Sequence, residues 1–255
     1  MTPYYEEPGI TIYHGDCREI LPHLPKADLV LTDPPYSEHT HNKQWIGAAL
    51  TSEAKPRIST AHKCLGFDAI TPELRLFVCR EAARLCEKWS LFFSDVESAH
   101  LWKHNIEIAG LEYVRTCFWD KVDSAPQFTG DRPAASVEAI VCAYPTGKKS
   151  WNGGGRRNLF RHSVNGTQGP KPHPSTKPLP LMTELVFLFS NPDDLIFDPF
   201  MGSGTTLVAA KTLGREAIGV EIEEKYCAIA VERLRQDVLP FDTAPERTET
   251  QEALL

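Results

Sequence analysis

No run of apolar residues in this 255-residue chain reaches the roughly 20 that a membrane-spanning helix needs. The first residues lack the charged and apolar regions of a secretory signal, so a soluble, cytoplasmic protein with no membrane partner is expected. The seven cysteines are odd in number and contain no CxxC pair, which argues against a disulfide framework or a zinc site; reduced thiols and no metal are expected. Nine histidines are scattered rather than clustered, so none is assigned to a metal. A uniformly basic composition is also missing. The formal charge is -7, which excludes a general polyanion binder but leaves room for a local basic patch.

Acidic residues are themselves absent from one long stretch. Between Ala139 and Thr183 there is no Asp or Glu, while Lys148, Lys149, Arg156, Arg157, Arg161, Lys171 and Lys177 all fall there. Such segregation of charge suggests a polyanion partner. Trp151, the run Gly153-Gly154-Gly155 and Gly166 interrupt the stretch, so its backbone is expected to be irregular and mobile when free. A second polar segment, residues 37–68, carries His39, His41, Lys43, Arg57, His62 and Lys63 with little periodicity, and reads as a long loop.

With 42% hydrophobic and 24% charged residues, the remainder can bury one core, and residues 1–255 read as a single domain. Strands are expected at Ile10–Asp16, Asp28–Thr32, Trp89–Ser94, Tyr113–Trp119, Val137–Tyr144, Leu195–Asp198 and Arg215–Val220. Helices are expected after Thr71-Pro72, from Val96 to about Ala109, after Pro178, behind Gly204 and from Glu223 to Gln236. The acidic residues 237–255 read as a disordered tail.

Two stretches carry chemistry. Asp33-Pro34-Pro35-Tyr36 follows a strand directly, and its prolines delete two backbone donors and fix two φ angles. The chain therefore leaves the sheet stiffly at the carboxyl end of a strand, where open α/β sheets bind ligands. A carboxylate, free carbonyl oxygens and an aromatic plate together suit a flat ring bearing an amino group. The second stretch, Phe197-Asp198-Pro199-Phe200-Met201-Gly202-Ser203-Gly204-Thr205, runs strand, glycine turn, helix. Gly202 and Gly204 permit close approach of a ligand to the backbone, although the pattern is neither a full GxGxxG nor a Walker loop. The next strand ends in Glu221, where a βαβ unit places an acid for ribose hydroxyls.

In this combination and order, with His173-Pro174-Ser175-Thr176-Lys177-Pro178 between them, the chain resembles the amino-directed DNA methyltransferases that use S-adenosylmethionine, in the beta arrangement that puts the catalytic tetrapeptide before the cofactor loop. The resemblance covers about Ile10 to Gln236. It implies a Rossmann-like class I methyltransferase fold, a circularly permuted seven-stranded mixed sheet with helices on both faces and Val137–Tyr144 as the antiparallel strand. It implies Asp33, Pro34, Pro35 and Tyr36 as catalytic residues. Cofactor contacts are implied at Asp16, Cys17, Asp33, Ser175, Thr176, Lys177, Asp198, Pro199, Phe200, Gly202, Ser203, Gly204, Thr205, Glu221 and Ile222. Residues 143–172 fall where the family places target recognition, so Lys148, Lys149, Arg156, Arg157 and Arg161, with His39, His41 and Lys43 from the loop, become DNA contacts. A homodimer acting on double-stranded DNA is implied, with a flipped-out adenine N6 as acceptor. Cytosine N4 remains the alternative, since cytosine also presents an amino group, but that subgroup more often has Ser at the position of Asp33, which ranks adenine first. A methyltransferase acting on RNA or protein glutamine would have Asn first and its motif after the cofactor loop. A silent DNA-binding regulator on the same scaffold would not need an intact Asp33 and glycine loop.

Overall fold

The computed structural model describes residues 1–36, 69–128, 130–164 and 176–236. The loop 37–68, with His39, His41 and Lys43, lies outside the described residues, as do Ser175 and the tail 237–255. In chain order the strands are β1 (Tyr5–Glu7), β2 (Ile10–His14), β3 (Ala27–Thr32), β4 (Cys86–Ser94), β5 (Glu112–Lys121), β6 (Val137–Tyr144), β7 (Leu159–His162), β8 (Leu195–Asp198) and β9 (Glu216–Glu221). The α-helices are α1 (Cys17–Ile20), α2 (Pro72–Leu85), α3 (Ala99–Ile108), α4 (Leu179–Phe189), α5 (Thr205–Thr212) and α6 (Glu224–Arg235).

All nine strands form one sheet in the order β1-β2-β9-β8-β3-β4-β6-β5-β7. Seven of them, β2 to β5 with inner β9, β8 and β6, are the seven expected, and β6 runs antiparallel to both β4 and β5. The correction is at the two edges. Tyr5–Glu7 pairs antiparallel with β2, and Leu159–His162 pairs parallel with β5. Both are short and polar, so neither shows the alternation that marks a strand in sequence.

Successive residues of each strand face opposite layers. On β3, Leu29 and Leu31 face a core shared with α4, α5 and α6, while Val30 faces the core of α1, α2 and α3. The helices start where their capping chemistry permits. Thr71 Oγ1 accepts a hydrogen bond from Leu74 N at 3.2 Å with Pro72 in the first turn of α2. Prolines likewise open α4, whose Leu181, Met182, Leu185 and Val186 are buried. At the start of α5, Gly204 adopts a left-handed conformation at φ 78°.

That glycine is required by packing as well as by its backbone. A Cβ on Gly204 would lie 2.7 Å from Ala230 Cβ of α6, whereas one on Gly202, at φ 52°, would meet nothing within 4 Å. Left-handed strain costs about 1–2 kcal/mol at either position, and overpacking adds about 1–3 kcal/mol at the first alone. Gly204→Ala should therefore unfold at lower urea concentration than Gly202→Ala, and equal midpoints would show that α6 simply moves aside.

Candidate active site

The parallel strands β3, β8 and β9 are neighbours, so their carboxyl ends deliver Asp33, Asp198 and Glu221 to one edge of the sheet. At β3, Asp33 Oδ2 accepts a hydrogen bond from Lys177 Nζ at 2.7 Å, while its buried Oδ1 has no hydrogen-bond partner among the described residues. Pro34 is buried, and the Tyr36 carbonyl accepts from Ile70 N at 3.2 Å, which fixes the end of the tetrapeptide. The Tyr36 hydroxyl donates to Glu138 Oε2 at 2.6 Å and accepts from Lys177 Nζ at 3.1 Å.

Lys177 is 8% exposed and is the hub of this cluster. Its ammonium also pairs with Glu138 Oε2 at 3.1 Å and lies over the rings of Tyr36 and Phe93 at 5.1 and 5.0 Å. Lys121 closes the set from the end of β5, 2.6 Å from Glu138 Oε1. Burial works against every charge here. It outweighs the pull of Lys177 on Asp33, whose pKa is raised, and raises that of Tyr36 well above a phenol's usual value. At Glu138 burial is overcome by Lys177 and Lys121, which hold the carboxyl at about 2. Burial is overcome again at Lys177, where Asp33 and Glu138 keep the ammonium charged with a raised pKa. Sequence reasoning assigned Lys177 to the cofactor; the structure seats its ammonium on Asp33, and Glu138 and Lys121 went unnoticed.

One strand over, Asp198 Oδ1 accepts from Thr32 Oγ1 at 2.9 Å and Phe200 N at 3.1 Å, and Oδ2 from Thr206 Oγ1 at 2.5 Å. Both Asp198 oxygens thus help tie the end of β3 to the glycine loop. Glu221 Oε2 accepts from Gly202 N at 3.0 Å and Oε1 from Glu223 N at 2.8 Å, which leaves each oxygen lone-pair capacity for a hydroxyl. Ile222 beside it is 58% exposed. Arg233 of α6 braces the loop from behind, donating 3.1 Å bonds to Ser203 Oγ and Thr205 Oγ1. Thr176 Oγ1 is 3.4 Å from Ser203 Oγ. Gly15 N bonds the Glu221 carbonyl at 2.9 Å and so brings Asp16 and Cys17 to the same edge. There Asp16 caps α1 and pairs with Arg18, whose hydrogen bonds hold its pKa down, and the Cys17 thiol is buried, its pKa pushed up to about 12. Among the described residues no cluster of His, Cys, Asp and Glu suits a metal ion, and no helix is long and apolar enough to cross a membrane.

The basic window is less free than its composition implies. Lys149 pairs with Glu112, Arg156 with Glu184 and Arg161 with Asp120, all acids outside the window. Lys148 and Arg157 have no ion pair among the described residues. Register places Tyr144 opposite Glu112 and Glu138 opposite Trp119. Six residues of strand, about 20 Å, therefore separate the Lys148-Lys149 end of β6 from the Asp33–Lys177–Glu138 cluster. These two lysines stand at the opposite edge of the sheet from Asp33. Arg161 stands on the same edge as the cluster, next to Asp120 and Lys121 in register, and its side chain is 70% exposed.

A mixed sheet carrying a carboxylate-proline-proline-tyrosine turn beside a glycine loop and an acidic strand end defines a methyl-transfer scaffold, and residues 27–232 match the DNA methylase family. Type II methyltransferase M.HinfI of Haemophilus influenzae is 28% identical over 89% of this chain and 68% of its own. M2.LlaDCHI of Lactococcus lactis subsp. cremoris is 27% identical over 92% of each. Among solved structures, the M1.HpyAVI–SAM complex aligns with a TM-score of 0.67 at 27% identity, covering 89% of this chain and 99% of that one. The cytosine-N4-specific PvuII methyltransferase shares the fold at a TM-score of 0.72 and 18% identity, over 93% and 90% of the two chains. The chain belongs to the N6/N4 DNA methylase family: it is a DNA methyltransferase, and its cofactor is S-adenosylmethionine. The residues present fit that cofactor, since Glu221 offers acceptors for hydroxyls, Ile222 an apolar surface and Gly202 open space above the loop.

Burial raises the Asp198 carboxyl from 3.8 to about 7. The folded chain therefore binds that proton more tightly than the unfolded chain. This stabilisation is fully present below about pH 3.9 and is lost as pH rises through about 7. Denaturant titrations at pH 5 and pH 8 should show a loss attributable to Asp198 that Asp198→Asn removes. An identical pH dependence in both proteins would mean that the three hydrogen bonds keep Asp198 ionised throughout.

Proposed function

We propose that this enzyme methylates N6 of an adenine rotated out of duplex DNA, and the observation that carries the reading is the buried Asp33 Oδ1, without a hydrogen-bond partner among the described residues, beside the Tyr36 ring. An exocyclic amine is a poor nucleophile because its lone pair is delocalised into the ring. Asp33 Oδ1 accepts one amino hydrogen and the Pro34 carbonyl the other, which draws the lone pair out of conjugation and directs it away from both acceptors. Tyr36 stacks on the base and fixes its plane. Bound S-adenosylmethionine supplies an electrophilic methyl group on sulfur. Asp198 and Thr32 hold the two strand ends in register, so alignment of amine and methyl is built into the sheet. Rotating the base out costs a few kcal/mol of stacking and pairing.

Adenine is favoured over cytosine by the Asp at position 33, where the cytosine-N4 subgroup more often has Ser. Incubation with labelled cofactor and mixed-sequence DNA, followed by digestion to nucleosides, should yield N6-methyl-2′-deoxyadenosine. N4-methyl-2′-deoxycytidine would overturn the base assignment while leaving the site intact. Asp33→Ala should keep cofactor binding by calorimetry and lose transfer; wild-type turnover in that variant would overturn the role of the tetrapeptide.

The same edge points to Arg161 as a DNA contact. An exposed ion pair such as Arg161–Asp120 is worth about 0–1 kcal/mol, so a phosphate can displace Asp120 readily. Arg161→Ala should weaken binding to all DNA and flatten the salt dependence by about one unit, whereas Lys149→Ala should change neither. Relaxed choice of methylated sites in Arg161→Ala would instead identify a base contact, and equal effects in the two variants would sink this placement.

A further inference from the structure

Glu138 is 9% exposed on β6, a strand flanked on both edges and covered on both faces. Nothing in the packing of that strand calls for a carboxylate, and burying one without partners costs several kcal/mol. Its partners come from three separate parts of the chain: Tyr36 beyond β3, Lys177 before α4 and Lys121 at the end of β5. Two of these three touch Asp33 or form the plate beside it.

We propose that Glu138 is a positioning residue for methyl transfer, holding Tyr36 and Lys177 so that Asp33 Oδ1 stays open to the target amine. The proposal rests on the reading of Asp33 as the acceptor of an amino hydrogen. Lys177 has three N–H donors in an enclosed space. In the observed arrangement the ammonium donates to Asp33 Oδ2 and Tyr36 Oη at 2.7 and 3.1 Å and is ion-paired with Glu138 Oε2 at 3.1 Å. Without the charge on Glu138 the ammonium is drawn to the one remaining carboxylate, and Oδ1, the atom the amine needs, becomes its nearest new acceptor. Glu138 acts on Tyr36 as well. A charge-assisted bond of 2.6 Å fixes the hydroxyl and hence the angle at which the ring meets a base. Lys121, itself over the Trp119 ring at 5.2 Å, anchors the far oxygen and keeps Glu138 from rotating toward Lys177.

The test is a cycle of Glu138→Gln, Tyr36→Phe and the double variant, with Asp33→Ala alongside, read as single-turnover methyl transfer, KM for DNA and calorimetric affinity for S-adenosylmethionine. Glu138→Gln should bind cofactor and DNA as the wild type does while transfer slows about tenfold to a hundredfold. Because both residues act through one hydrogen bond, the double variant should be slower than the worse single variant by much less than the product of the two effects. A purely structural role would lower binding together with rate, or multiply the two effects, and either result overturns the proposal. If Glu138→Gln does not fold, Tyr36→Phe decides alone: slowed transfer at unchanged KM supports the proposal, and a wild-type rate overturns it. Loss of transfer in Asp33→Ala with a wild-type rate in Glu138→Gln would reject Glu138 and leave the catalytic reading standing, whereas transfer retained in Asp33→Ala would remove the ground for both.

Discussion

A buried ammonium has to be paired, and the pairing of Lys177 organises the edge of the sheet that carries Asp33. With Asp33, Glu138 and Lys121 it makes a set of two carboxylates and two ammoniums, so the cluster is neutral although each member is largely removed from water. Removing one partner of a buried pair typically costs about 3–5 kcal/mol because a charge is left uncompensated. The segments that carry these four groups are therefore held in one arrangement more firmly than loop packing alone would hold them.

A second tie runs across the sheet. The Thr32 hydroxyl, the last side chain of β3, donates to Asp198, the last residue of β8. The strand that presents Asp33 and the strand that opens the glycine loop are thus bonded at the point where each leaves the sheet. Arg233 and Thr206 fix the loop from the other side. Methyl transfer is demanding in alignment rather than in acid or base strength, and a frame with no slack between adjacent strand ends meets that demand.

The legible part of this architecture was the part written locally. Alternation and apolar runs marked the seven inner strands, proline and threonine marked the starts of α2 and α4, and the two strand-end motifs announced themselves by residue types that a core does not use. The edge strands β1 and β7 escaped because Tyr-Glu-Glu and Leu-Phe-Arg-His have no periodicity of their own; pairing with a neighbour makes them strands. Glu138 and Lys121 escaped for a related reason. A lone charge on a strand gives no local signal, and the partners that make it useful lie far along the chain. The acid-free window is likewise less bare than its sequence, since Glu112, Asp120 and Glu184 stand outside it in sequence and against it in space. Charge counted along a chain says little about charge left over after folding.

The strand order also decides when the site can come into being. β3 precedes its neighbour β8 by more than 160 residues, and β2 waits still longer for β9. Loop closure on that scale comes before any reward from pairing, so such contacts form slowly. Until the glycine loop has been synthesised, β3 has one bare edge and its Thr32 hydroxyl lacks the carboxylate it serves in the finished protein. The tetrapeptide after β3 is thus made long before the strand that sets it in place.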